Sequence, residues 1–151
     1  MAGYLTNRAK GRFNELMRRV LANDPANSAI ILVPLSASDT EANQQDVDDL
    51  ASFLAGTPNE QTGGSWVRKV LTDADLPSSN PDDTNNRYPA TLPQVTWTAP
   101  SANTVALAIC YDSDTTSGTD SNIEVIGVVD FAVTGDGNNI VLNTGDYARA
   151  S

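Results

Sequence analysis

Apolar residues recur along the first quarter of the chain in two different patterns. Ala9, Phe13, Leu16, Met17, Val20 and Leu21 share one stripe of a repeat of about 3.6 residues, which predicts an amphipathic helix. Thr6 or Asn7 can cap its start, and Asn23-Asp24-Pro25 stops it. The run Ala29-Ile30-Ile31-Leu32-Val33 is continuous instead, and Pro34 closes it, as expected of a buried strand. Ser38 and Glu41 form a capping box ahead of a second helix, predicted within 39–55. Val47, Leu50, Ala51 and Leu54 mark its apolar face, Phe53 sits beside them, and Gly56 ends it.

Beyond residue 64 the period falls to two. In 65–71, Trp66, Arg68 and Val70 alternate with Val67, Lys69 and Leu71, which predicts a half-exposed strand. Residues 72–93 hold four of the eight prolines and no helical period, and read as an extended Pro/Asp-rich loop able to order against a partner. Four short apolar strands follow at 94–98, 104–111, 123–133 and 139–142. The segments between them, 112–122, 134–138 and 143–146, are rich in Asp, Thr, Ser, Gly and Asn. Gly135-Asp136-Gly137-Asn138 has the chemistry of a tight turn joining antiparallel strands. The expected fold is mainly β (α+β) with an N-terminal helix and a second short helix, around an antiparallel β-sandwich or barrel-like core. The N-terminal helical arm takes residues 1–24. The β-rich domain, with its inserted helix and loop, takes 25–151.

Composition narrows the chemistry. The chain has no histidine, so no Ser-His-Asp or Cys-His arrangement can form, and the common metal sets lose their main ligand. Cys110 is the single cysteine and lies in the apolar run 105–109, where it reads as a small buried hydrophobe. Asp112 to Asp120 alternates oxygen side chains like a calcium loop. Counted from Asp112, however, glycine falls one place late, and Ile123 stands where a bidentate Glu is needed. A structural turn is the expectation, with no metal and no cofactor. The start of the chain lacks the apolar core of a signal peptide, and no segment approaches the roughly 20 apolar residues of a membrane span.

Charge is asymmetric. The net charge is −10, yet five of the nine basic residues lie in the first 19: Arg8, Lys10, Arg12, Arg18 and Arg19, opposed there only by Glu15. An acidic body argues against nucleic-acid or membrane binding, whereas the basic helix suits an acidic partner surface. Together with Phe13, Trp66, Arg68 and Arg87, these five are the candidate partner contacts. Trp66 and Trp97 fall in predicted strands and read as core, with stacking on a sugar as the alternative.

The opening GYLTNRAKGRF (3–13) is similar to the start of small structural proteins encoded among tailed-bacteriophage virion genes. RKVLTDADL (68–76), DDTNNR (82–87), LPQVTWT (92–98), CYDSDTTSGTDSNI (110–123), DFAVTGDG (130–137) and YARAS (147–151) resemble the same group, and 110–123 is the most distinctive. The resemblance implies a virion structural protein and no enzyme, with no catalytic residues to carry over. Its commonest role would be head decoration: a cement protein, made in the host cytoplasm, that binds the exterior of the mature head. Its partners would be the major capsid protein or other virion proteins, with trimer the favoured homo-oligomer. A head–tail connector, neck or tail component is the alternative, and a carbohydrate- or receptor-binding module the next.

Overall fold

The computed structural model describes residues 3–150. It begins with a two-residue strand, β1 (Tyr4–Leu5), and then two helices where periodicity predicts one: α1 (Asn7–Lys10) and α2 (Phe13–Leu21). The break falls at Gly11, which closes α1, and Arg12, whose backbone is non-helical. Glycine is a poor helix former, so continuing through it gains little. The apolar stripe survives the break, with Ala9, Phe13, Leu16, Met17 and Val20 buried against this chain's own sheet.

The next strand, β2 (Ala29–Ala37), runs through Pro34 instead of stopping there. The Pro34 carbonyl accepts from Gln61 N–H, on the side away from the neighbouring central strand. In an antiparallel strand the N and O of one residue point the same way, so the missing N–H falls on the interrupted side of β2. The inner ladder loses nothing.

The predicted second helix is also two pieces, α3 (Glu41–Gln44) and α4 (Leu50–Leu54). Aspartates set these limits, and the expected Ser38 box does not. Asp39 accepts from Thr40 N–H ahead of α3, and Asp49 accepts from Ser52 N–H at the start of α4. Asp46 is drawn off by the Asn7 side chain. On α4 the buried pair is Leu50 and Phe53, while Ala51 is exposed.

Of the predicted strand 65–71, only β4 (Lys69–Leu71) forms, after the two-residue β3 (Asn59–Glu60). Gly64 and Ser65 have positive φ, and a Cβ at Gly64 would fall on the Ala102 backbone nitrogen, so the chain turns there before it can extend. The loop predicted over 72–93 ends in a strand, β5 (Tyr88–Leu92). β6 (Val95–Trp97), β7 (Thr104–Asp112), β8 (Ile123–Val133) and β9 (Ile140–Leu142) lie close to their predicted places. A further strand, β10 (Gly145–Ala150), begins inside the expected final loop.

The main sheet is antiparallel, in the order β1-β8-β7-β2-β3, with β4 also on β2. Both of its faces are buried, which is why β2 and β7 read as unbroken apolar runs. Ile30, Leu32, Leu107 and Ile109 face one core; Ile31, Val33, Ala108 and Cys110 face the other, under Leu50 and Phe53 of α4.

The first core is closed by α2 and by a two-stranded ribbon. β5 pairs with β10, and β6 with β9; the register carries across the gap around Pro93 and shifts by one residue between Asp146 and Ala148 of β10. The turn at Gly135–Asn138 therefore does not close a hairpin with β8, because the chain crosses there from the sheet to the ribbon. The fold is mainly β, sandwich-like α+β, with four short α-helices and one 3-10 turn (Asp120–Asn122) among the described residues.

One bulge connects the N-terminus to this frame. Ile109 pairs with Gly127 and Cys110 with Val125, leaving Ile126 as the extra residue of β8. Thr6, fully buried, donates its backbone N–H to Ile126 O at 2.9 Å and its hydroxyl to Val125 O at 2.8 Å, and caps α1. Next to it, a Cβ on Gly127 would land on the Tyr4 carbonyl oxygen and 3.2 Å from Leu5 Cα. Replacing Gly127 by alanine should therefore push β1 off β8 and cost about 1–3 kcal/mol. A urea midpoint equal to that of the wild type would show that β1 is not pinned there.

Candidate protein-binding surface

Helices α1 and α2 present Arg8, Arg12 and Arg19 along one side of a groove of about 510 Å³. The ends of β7 and β8 supply Tyr111, Ser113 and Glu124, and the start of α4 supplies Asp48 and Asp49. Glu124 is the pivot. Its side chain, 12% exposed, faces Arg12 Nη1 at 3.3 Å and Arg8 Nε at 3.5 Å. Arg8 also reaches Asp48 at 3.6 Å.

Glu15 bridges Arg12 at 3.4 Å and Arg19 at 2.9 Å. Hydrogen bonds from Arg19 and then Arg12 hold its carboxyl below the usual carboxylate range. Burial raises the Tyr111 phenol above its ordinary value, with neighbouring Arg19 opposing the shift. Lys10 sits outside this group and pairs with Glu41 at 3.0 Å. Arg18 is exposed and carries no ion pair among the described residues.

The remaining sequence candidates lie elsewhere. Phe13 and Trp66 are core residues, 7% and 2% exposed, so neither offers a contact face. Trp66 is not on a strand. Its Nε1–H donates to Ala102 O at 2.6 Å, and its ring lies 5.3 Å from that of Trp97. Arg68 is held by two carboxylates at once. Nε and Nη2 donate to Glu60 at 2.8 and 2.6 Å, and Nη1 and Nη2 to Asp120 at 2.6 and 2.9 Å.

Arg87 donates to Asp82 at 2.8 Å and lies 3.7 Å from Asp146, tying the 82–87 turn to the ribbon. Cys110 is buried, and desolvation pushes its thiol far above the ordinary range, so it is unreactive at neutral pH. In the 113–122 loop, Asp112 accepts from Asp114 N–H and Asp114 from Thr116 N–H, which are self-capped turns. Among the described residues no group of three or more Cys, Asp or Glu is placed to hold a metal ion.

The structure therefore brings together three of the nine sequence candidates, Arg8, Arg12 and Arg19, and separates the rest. Glu124, Tyr111 and Asp48 were not visible as candidates. Only Glu124 left a signal, as the lone charge near the start of a long apolar strand. No protein-family model, no curated protein and no solved structure matches the chain.

Proposed function

We propose that this protein is a structural component of a tailed-phage virion, acting as a head decoration protein that binds the shell exterior through protein–protein contacts. The observation that carries this reading is the placement of charge. Arg8, Lys10, Arg12, Arg19, Arg68 and Arg87 all lie against the chain's own carboxylates, on a molecule of net charge −10. Such a surface repels nucleic acid and leaves the arginine groove as the place where an oxygen-rich protein surface meets donors.

The segments of the phage resemblance support it as well. Several fall on the frame, namely the β7–β8 loop, β5–β6 and β10, and two of them, 3–13 and 110–123, supply Arg8, Arg12, Tyr111 and Ser113 to the arginine groove. The mechanism is mass action. Exposed ion pairs are worth about 0–1 kcal/mol each, but contacts repeated by the symmetry of a shell add into a shift toward the assembled state.

Sedimentation of the purified chain with expanded heads of the phage that encodes it tests the reading. Saturable capture and heads more resistant to heat are the expected results, with a trimer by light scattering. Heads that neither bind nor gain stability would sink it, and labelling of one vertex alone would move the protein to the neck.

A further inference from the structure

Guanidinium groups on this molecule are held in two different ways. Arg68 makes four bonds of 2.6 to 2.9 Å to two carboxylates, the short charge-assisted geometry of a committed structural clamp. In the groove the contacts are longer and shared. Arg8 comes no closer than 3.5 Å to a carboxylate, Arg12 reaches its two at 3.3 and 3.4 Å, and only Arg19 makes a short contact, through Nε alone. Glu15, Glu124 and, at 3.6 Å, Asp48 thus serve three arginines, with one short contact among them. Asp49, on the opposite side, is spent on Ser52 N–H and Oγ at 2.8 and 2.9 Å. Most of the planar donor forks in the groove are unmatched by acceptors of good geometry.

We infer that this groove receives an acidic protein segment, whose carboxylates take the fork positions that Glu124 and Glu15 fill only loosely. Arg8, Arg12 and Arg19 are the donors, and Ser113 beside them can donate a hydroxyl to the same segment. Each incoming carboxylate replaces a long contact with a short bidentate one, and the arginines, though partly exposed, are already held along the groove by their own carboxylates. An acidic segment also has nowhere better to go, since the rest of the surface opposes it with net negative charge. A polynucleotide must lay a long run of phosphates over that same acidic surface, whereas a short peptide need touch only the groove. The identity of the partner as a virion protein rests on the proposal above. The groove is tested without it.

The probe is a labelled peptide of about ten glutamates, followed by fluorescence anisotropy on the full chain at low salt. Saturable binding is expected, weakened about tenfold between roughly 20 and 200 mM salt. Arg8→Gln and Arg19→Gln should each weaken it about threefold, and the pair about tenfold, while Arg18→Gln leaves it unchanged. All three substituted side chains are exposed, and circular dichroism confirms that each variant is folded.

No saturable binding, an unaffected double variant, or an equal effect of Arg18→Gln would overturn the inference. So would tighter binding of a ten-nucleotide single strand. The two ideas also fail separately. Heads that capture the double variant as well as the wild type leave decoration standing and remove the groove. Peptide binding without head capture does the reverse.

Discussion

Truncating Trp97 to alanine should cost about 3–5 kcal/mol, a large share of the roughly 5–15 kcal/mol that holds a domain of this size together. Trp97 is fully buried at the centre of the ribbon-side core. Its ring meets Trp66 at 5.3 Å and Phe131 at 5.5 Å between centroids, and Lys69 Nζ lies 5.8 Å above it. Nε1–H donates to Val67 O at 2.9 Å, tying β6 to the segment entering β4. The substitution removes the ring, opens a cavity that rigid sheet walls cannot close, and leaves a carbonyl unpaired. Trp97→Phe keeps most of the ring and should cost about 1–3 kcal/mol, mainly from the lost hydrogen bond and the smaller volume. Urea unfolding monitored by circular dichroism measures both. A loss below about 1 kcal/mol for the alanine variant would mean that the ribbon is not anchored here.

The same residue illustrates what the sequence could reveal. Trp97 and its strand were legible because the alternation of 94–98 and the unbroken runs around 105–111 and 123–133 depend on burial of one or both strand faces, which is a local property of side chains. Strands of two or three residues leave no such pattern. β1 and β3 are set by what they pair with, Val128 and Gly127 for β1, Leu35 and Ala37 for β3, and that partner lies far away in sequence. β10 hid behind Gly145, Asp146 and Arg149, which suit an edge ribbon but resemble a loop. The split helices have a local cause misjudged from periodicity alone: Gly11 in one and capping aspartates in the other outweighed a continuous apolar stripe.

The candidate surface was half legible. A cluster of arginines within 19 residues is visible as composition, and helical spacing places Arg8, Arg12 and Arg19 on one side. What spacing cannot supply is the opposing wall. Glu124 is 112 residues from Arg12 and meets it only because the bulge and Thr6 seat α1 against β8. Phe13 and Trp66 were misassigned as contacts for a related reason, since an aromatic in an amphipathic pattern carries no mark of which side the chain will cover.

Arg68→Ala tests the other arrangement of charge, and its effect should depend on pH. The clamp joins β3 through Glu60 to the loop before β8 through Asp120, with the Arg68 side chain 29% exposed. Partial exposure screens the pairs, so the expected loss at neutral pH is about 1–3 kcal/mol, below that of a fully buried network. Arg68 hydrogen bonds hold the Asp120 carboxyl below the usual carboxylate range. A carboxyl whose pKa is lower folded than unfolded contributes stability above its unfolded pKa, about 3.9, and loses it as pH falls through the folded value. The wild type should therefore keep its full advantage over Arg68→Ala from neutral pH to about 5, and the gap should narrow as pH falls below about 4. Asp120→Asn should remove most of that narrowing, and the double variant should show coupling of about 0.5–3 kcal/mol. Unfolding midpoints across the pH series decide it. A gap that stays constant into the acid range would mean that Arg68 acts through the packing of its stem alone, and the loop would then be held by its own aspartate turns.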